Sequence, residues 1–279
     1  MLKLLVPLFA ALGFRNLQEI RTMALRSMSG QLQSKQKVHL LSSWTSLQVR
    51  QSSSAPSMIV FDRQLKQRQR AWSMKVEDST YYDYLRTENA VQICDRIEDI
   101  SRNFPAALEL GSHRGHLFNV INSRKNLNGT TGGVGGIETL YQYDSSFSCP
   151  EALENNKKNL NRDMGLVEPV YVTEGDEEDP LSFAEENSLD MVVSSLSMHW
   201  INDLPQALKK IQTILKPDGV FIGSLLGGST LQELRYCFYL VEQERKGGLS
   251  PHTSPFVTPS DLAGLMQVGV EVIRIEEGV

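Results

Sequence analysis

The sequence predicts an α/β fold, a doubly wound and mostly parallel sheet with helices on both faces. Three observations predict it. From residue 85 onward, short apolar runs of strand length alternate with segments of helical periodicity. An acid followed by spaced glycines stands where the first run meets a helix. The chain has 279 residues, 41% of them hydrophobic, enough to build the core of one such domain.

Residues 85–100 carry apolar side chains at Val91, Ile93, Cys94, Ile97 and Ile100, a helical stripe broken by Asn103-Phe104-Pro105. Residues 106–110 form the first strand and 115–122 the helix after it. Residues 123–137 hold five glycines and read as a flexible loop insertion. Strands follow at 139–143, 170–173 and 189–195. A helix is expected over 150–164, with Pro150 in its first turn. Residues 204–216 form a helix that Pro217-Asp218-Gly219 stops with a turn. A fifth strand over 220–226 is followed by a helix at 230–246 that ends at Gly247-Gly248. Ser260 caps a helix reaching Gly269, and a sixth strand is expected over 270–275.

Composition sets bounds on function. Charged residues are 22% and the net charge is −5, which excludes a basic nucleic-acid binder and an acidic disordered chain. Cys94, Cys149 and Cys237 show neither zinc spacing nor a disulfide framework, and no metal site is expected. No apolar run reaches the roughly 18 residues that span a bilayer. The charge is uneven. Residues 1–57 hold seven Lys/Arg against one acid and ten serines, so they read as an attachment to the domain of residues 58–279. An Arg- and Ser-rich, acid-poor leader with Phe14, Leu17, Ile20, Leu25 and Met28 on one helical face fits a mitochondrial transit peptide. The apolar run 4–14 keeps a secretory signal open, and an untargeted tail is the bland alternative.

The chemistry centres on Glu109-Leu110-Gly111-Ser112-His113-Arg114-Gly115. An acid and glycines between strand and helix are how a class I methyltransferase holds S-adenosylmethionine. Glycines let the backbone approach, and the helix start offers N–H groups to an anion. The usual pattern has a glycine where this chain has His113. Asp144, at the end of the second strand, is placed to accept ribose hydroxyls. Asp176 is placed to accept from the adenine amino group, in competition with Glu177, Glu178 and Asp179. His199 and Trp200 follow the fourth strand, where substrate would meet the methyl donor. His199 suits a general base and Trp200 a stacking platform, or both are core residues. The set Glu109, Gly111, His113, Gly115, Asp144 and Asp176 is the expected cofactor site. His113 with His116 makes one i,i+3 pair, more simply read as surface than as metal ligands.

Several stretches carry a closer resemblance: Phe61-Asp62-Arg63-Gln64-Leu65-Lys66, Tyr84-Leu85-Arg86, Asp99-Ile100-Ser101-Arg102-Asn103-Phe104-Pro105, residues 194–205, residues 214–223 and residues 247–252. Over about residues 58–275 the chain resembles the mitochondrial complex I assembly factors of methyltransferase fold that act as arginine hydroxylases. More distantly it resembles the carrier-protein methyltransferase of biotin synthesis. The resemblance implies S-adenosylmethionine as ligand and a target arginine on a complex I core subunit. It also implies a place in the mitochondrial matrix, at the matrix face of the inner membrane. It implies a last antiparallel strand that this sequence, ending at Val279, lacks, so a C-terminally truncated form is expected. Two other activities stay open: a methyltransferase acting on a protein or carrier, and a catalytically inactive assembly scaffold.

Overall fold

The structure is a computed structural model that describes residues 59–76, 81–125, 131–163, 165–173, 176–179, 183–250 and 252–266. The expected leader and sixth strand lie outside these residues. The chain forms two compact units. One comprises residues 57–228 and 256–279, and the described part of the other is residues 229–250 and 252–255.

The larger unit holds, in order, α1 (Arg63–Ser73), α2 (Tyr84–Glu98), β1 (Ala106–Leu110), α3 (His116–Ser123), β2 (Thr139–Tyr143), α4 (Pro150–Asn159), β3 (Glu168–Val172), β4 (Leu189–Ser195), α5 (Leu204–Ile214) and β5 (Leu215–Ser224). The five strands are parallel in the order β3-β2-β1-β4-β5. The chain therefore runs outward through β2 and β3, then returns to pair β4 on the free side of β1. Loops diverge at such a switch point, which opens a crevice at the strands' carboxyl ends.

Alternation along the strands divides the core between the two faces. Ala107, Met191 and Val193 pack with Ile93, Ile97, Phe118 and Ile121 from α2 and α3. Leu108, Leu110 and Val192 pack on the other side with Leu208, Ile211 and Ile214 from α5. β4 is buried along its whole length, as expected of a parallel strand covered on both faces.

Several boundaries differ from the sequence expectation. β3 starts two residues early because Pro169 is tolerated on an outer strand. β5 starts at Leu215, and the expected turn is absorbed as a bulge. Leu215 pairs with Leu189, the register shifts before Met191, and Asp218 takes a left-handed φ of 64°. The helix expected over 150–164 stops at Asn159. The flexible insertion is a correction: Val134, Gly135, Gly136 and Ile137 are buried in a short 3₁₀ turn. A Cβ on Gly135 would stand 2.4 Å from Ile97 and one on Gly133 2.5 Å from the Ile121 carbonyl, so these glycines pack closely.

α7 (Pro259–Met266), also in this unit, is capped by Thr258 rather than Ser260. Thr258 Oγ1 accepts from the Asp261 N–H, and the Thr258 N–H donates to the Asp261 carboxylate. In the smaller unit α6 (Gln232–Lys246) ends on Gly247 at φ 64°, with Arg245 and Lys246 at its negative end. The buried Glu242 accepts from the Ser250 N–H and meets the His252 ring, which stacks on Phe238.

Candidate functional site

The turn from β1 into α3 is built on left-handed backbone: φ is 81° at Gly111, 50° at His113 and 76° at Gly115. Amides of Gly111 and Ser112 donate to the Tyr143 carbonyl at 2.7 and 3.3 Å, tying the turn to the end of β2. Glycine is required at both ends. A Cβ on Gly111 would lie 2.2 Å from Ser197 Oγ, and one on Gly115 2.1 Å from Leu160 Cδ2.

His113 stands between them with a buried ring. Its N–H donates to Asp144 Oδ2 at 3.0 Å, and its carbonyl accepts from Asn156 Nδ2 at 2.8 Å. Ring Nδ1 lies 3.7 Å from Asp144 Oδ2, while Nε2 is buried without a hydrogen-bond partner. Burial, with Arg86, Arg70, His116 and His199 nearby, holds this imidazole well below its ordinary pKa, so it is neutral.

The structure gathers the sequence-expected residues at one end of the sheet but commits several of them to the protein itself. Asp144 Oδ1 accepts from the Ser146 amide at 2.9 Å and from its hydroxyl at 2.6 Å. With Oδ2 on His113, both carboxylate oxygens are engaged by the chain. Asp176 receives Arg63 Nε at 3.1 and 3.2 Å. Glu109 is buried beside Gln142, whose Nε2 is 3.5 Å away. Burial pushes its carboxyl up to about 8, against the pull of Gln142 and with the added repulsion of Asp144. His199 leans on Trp200 with ring centroids 4.9 Å apart and leaves Nδ1 buried without a partner. Burial first, then Arg70, Arg86 and Lys66, lowers it to about 4. His116 contacts Asp83 (3.5 Å) and Thr87 (3.3 Å). Among the described residues no three His, Cys, Asp or Glu side chains form a metal-binding group.

The sequence reading missed the cover over this end. α1 starts on Asp62, which accepts from the Leu65 N–H, and lies across the strand ends with its charged face inward. Arg63 reaches Asp176, Glu177 and the Trp200 carbonyl. Gln67 donates to the Ser145 carbonyl. Arg70 pairs with Glu177 and donates to Ser197 Oγ at 2.9 Å. The signal was present as polar residues 63, 67 and 70, which share one helical face. Two large apolar side chains also stand on the exposed side of α1 among polar residues: Leu65 is 46% exposed and Trp72 67%. At the open side stands Arg86, part-exposed, its Nε 3.9 Å from Asp83.

Residues 135–223 match the family described as "Methyltransferase domain". Over 228 residues the chain is 42% identical to the protein of Danio rerio named "Arginine-hydroxylase NDUFAF5, mitochondrial", covering 81% of this chain and 64% of that one. The Homo sapiens protein of the same name is also 42% identical, with 81% and 59% covered. A shorter match, 36% identical over 80 residues, joins it to a malonyl-acyl-carrier-protein O-methyltransferase of Gallionella capsiferriformans, covering 29% and 26%. The chain thus spans less than two thirds of the length of the curated relatives it matches over most of its own sequence.

Proposed function

We propose that this chain, which is 42% identical to mitochondrial arginine-hydroxylases and matches a methyltransferase domain over residues 135–223, is a complex I assembly factor that hydroxylates an arginine of a core subunit. S-adenosylmethionine is its proposed ligand. The observation that carries the ligand assignment is the left-handed turn at the end of β1. There Ser112 Oγ, His113 Nε2 and His199 Nδ1 are buried with unused hydrogen-bonding capacity, as a site completed by a polar ligand requires. The residues present fit the ligand. The turn and the start of α3 suit its polar end. Arg86 suits its carboxylate, because burial lowers this guanidinium's pKa and only Asp83 among the described residues lies within ion-pair reach.

Bound S-adenosylmethionine would supply an electrophilic methyl group on a sulfonium, which serves methylation; hydroxylation would take its oxygen atom from a separate oxidant, dioxygen with a two-electron reductant. Arg70 of α1, with Phe61 ahead of that helix and Trp200 after β4, would help to exclude water there; Trp200 packs edge-on against Phe61 and lies under Lys66 Nζ at 3.6 Å. His199, neutral at physiological pH, holds an acceptor or donor in place and is the group assigned to proton transfer. The domain is proposed as residues 58–279, with 1–57 as transit segment and the matrix face of the inner membrane as workplace. The basic leader and the outward Leu65 and Trp72 support that placement.

A second reading, methylation of a protein or carrier, is favoured by the methyltransferase domain itself. Mass analysis of a target subunit after incubation with the full chain separates the readings. A gain of one oxygen on arginine supports hydroxylation and a gain of one methylene supports methylation. An unchanged subunit that still co-assembles supports a scaffold.

A further inference from the structure

His113 carries a ring where the backbone is left-handed, a conformation unfavourable for a non-glycine residue, less so for His than for most. The ring is 10% exposed, and its Nε2 is an orphan. Two unfavourable features at one residue point to a use for the ring.

Three observations define that use. Asp144 is placed where a ribose acceptor is expected, yet both its oxygens are engaged by Ser146 and by the His113 amide. Beside it, the imidazole Nε2 is buried with no hydrogen-bond partner among the described residues, whereas the carboxylate already accepts three hydrogen bonds. Asp144 Oδ2, 3.7 Å from Nδ1, favours the tautomer with its hydrogen on Nδ1, which leaves a lone pair on Nε2. The groups facing the ring besides Asp144 are Arg70, Arg86, His116 and His199, so the ring stays neutral and a cationic donor is disfavoured. A hydroxyl is the donor that suits a neutral acceptor among guanidinium groups.

We propose that His113 is a ligand contact whose Nε2 accepts a hydrogen bond from a ribose hydroxyl of the bound nucleoside, beside the partly engaged Asp144 carboxylate. It makes the site selective for a hydroxylated sugar. This rests on the reading that the site binds S-adenosylmethionine.

The test is calorimetric titration of the full chain with S-adenosylhomocysteine and with its 2′-deoxy and 3′-deoxy forms, in the parent and in His113→Gly. Glycine suits a φ of 50°, so this variant keeps the turn; His113→Asn, which also tolerates positive φ, controls for packing. The parent should lose about tenfold in affinity for one of the deoxy forms. His113→Gly should bind the intact nucleoside about tenfold more weakly and no longer distinguish that form. Equal or tighter binding by His113→Gly, or undiminished discrimination, overturns the contact while leaving the ligand assignment intact. Absence of binding by the parent overturns the ligand assignment and the contact with it.

Discussion

Arg70 and Glu177 form an ion pair with almost no water around it: the carboxylate is 1% exposed and the guanidinium side chain 11%. Glu177 also takes Arg63 and the Ser145 amide, so one buried acid anchors two of the three arginines of α1, Arg63 and Arg70. Removing one partner of a buried pair leaves the others charged and dry. Glu177→Ala should therefore lower stability by roughly 3–5 kcal/mol in urea denaturation. A change below about 1 kcal/mol would mean that the arginines reach water or other acids without it.

Glu109 gives stability an alkaline limit. Its pKa rises from 4.5 to about 8 on folding, mainly through burial. The folded state keeps a proton that the unfolded chain releases, so the contribution is complete below 4.5 and lost as pH rises through 8. The difference in unfolding free energy between the parent and Glu109→Gln should shift toward the variant across that window. A flat difference would show that Glu109 ionises normally in the fold.

His199 acts in the opposite sense. Burial, then Arg70, Arg86 and Lys66, lowers its pKa from 6.5 to about 4. Below 6.5 the unfolded chain takes up a proton that the folded state refuses, so this contribution is present above 6.5 and lost as pH falls through 4. His199→Asn should lessen acid destabilisation in that range. NMR titration of the ring checks the cause directly, and a midpoint near 6.5 would refute it.

Gly115→Ala combines backbone strain with a clash. The positive φ contributes roughly 1–2 kcal/mol and the contact with Leu160 roughly 1–3 kcal/mol. Trimming the neighbour should relieve the second part alone. In thermal melts the double variant Gly115→Ala/Leu160→Ala should be less destabilised than the sum of its single changes. Strict additivity would mean that the methyl group finds other space.

Arg86 is assigned to the ligand's carboxylate. Arg86→Gln should weaken S-adenosylmethionine binding about 10- to 100-fold in calorimetric titration. It should leave the affinity for the decarboxylated ligand unchanged. An equal loss for both ligands would assign Arg86 to holding Asp83 rather than to binding.

The sheet was legible because buried parallel strands write themselves as mainly apolar runs, and β1, β2 and β4 lie where those runs lie. β5 was read late because Lys216-Pro217-Asp218-Gly219 has the chemistry of a turn, and only pairing with β4 turns it into a bulge. The glycines at 132–136 looked like a linker because close packing and flexibility favour the same residue. α1 was invisible to a search for apolar stripes, since its inward face is Arg63, Gln67 and Arg70. At the site, sequence placed Asp144 and Asp176 at the right strand ends. It could not show that the His113 amide and Arg63 donate to them, because those partners come from the β1–α3 turn and from α1; only the Ser146 contact, two residues from Asp144, is local.

The left-handed backbone at His113 also restricts which codons the position can pass through. Side chains found most readily at positive φ, apart from glycine, are those of Asn, Asp and His. In the genetic code a glycine codon reaches aspartate by one base change, and aspartate reaches histidine by one more. A lineage can therefore exchange a bare turn for an imidazole without ever encoding a residue the turn refuses, and the same route lies open in reverse. Substitution toward a β-branched residue has no such passage, because its first occupant would already strain the link between β1 and α3.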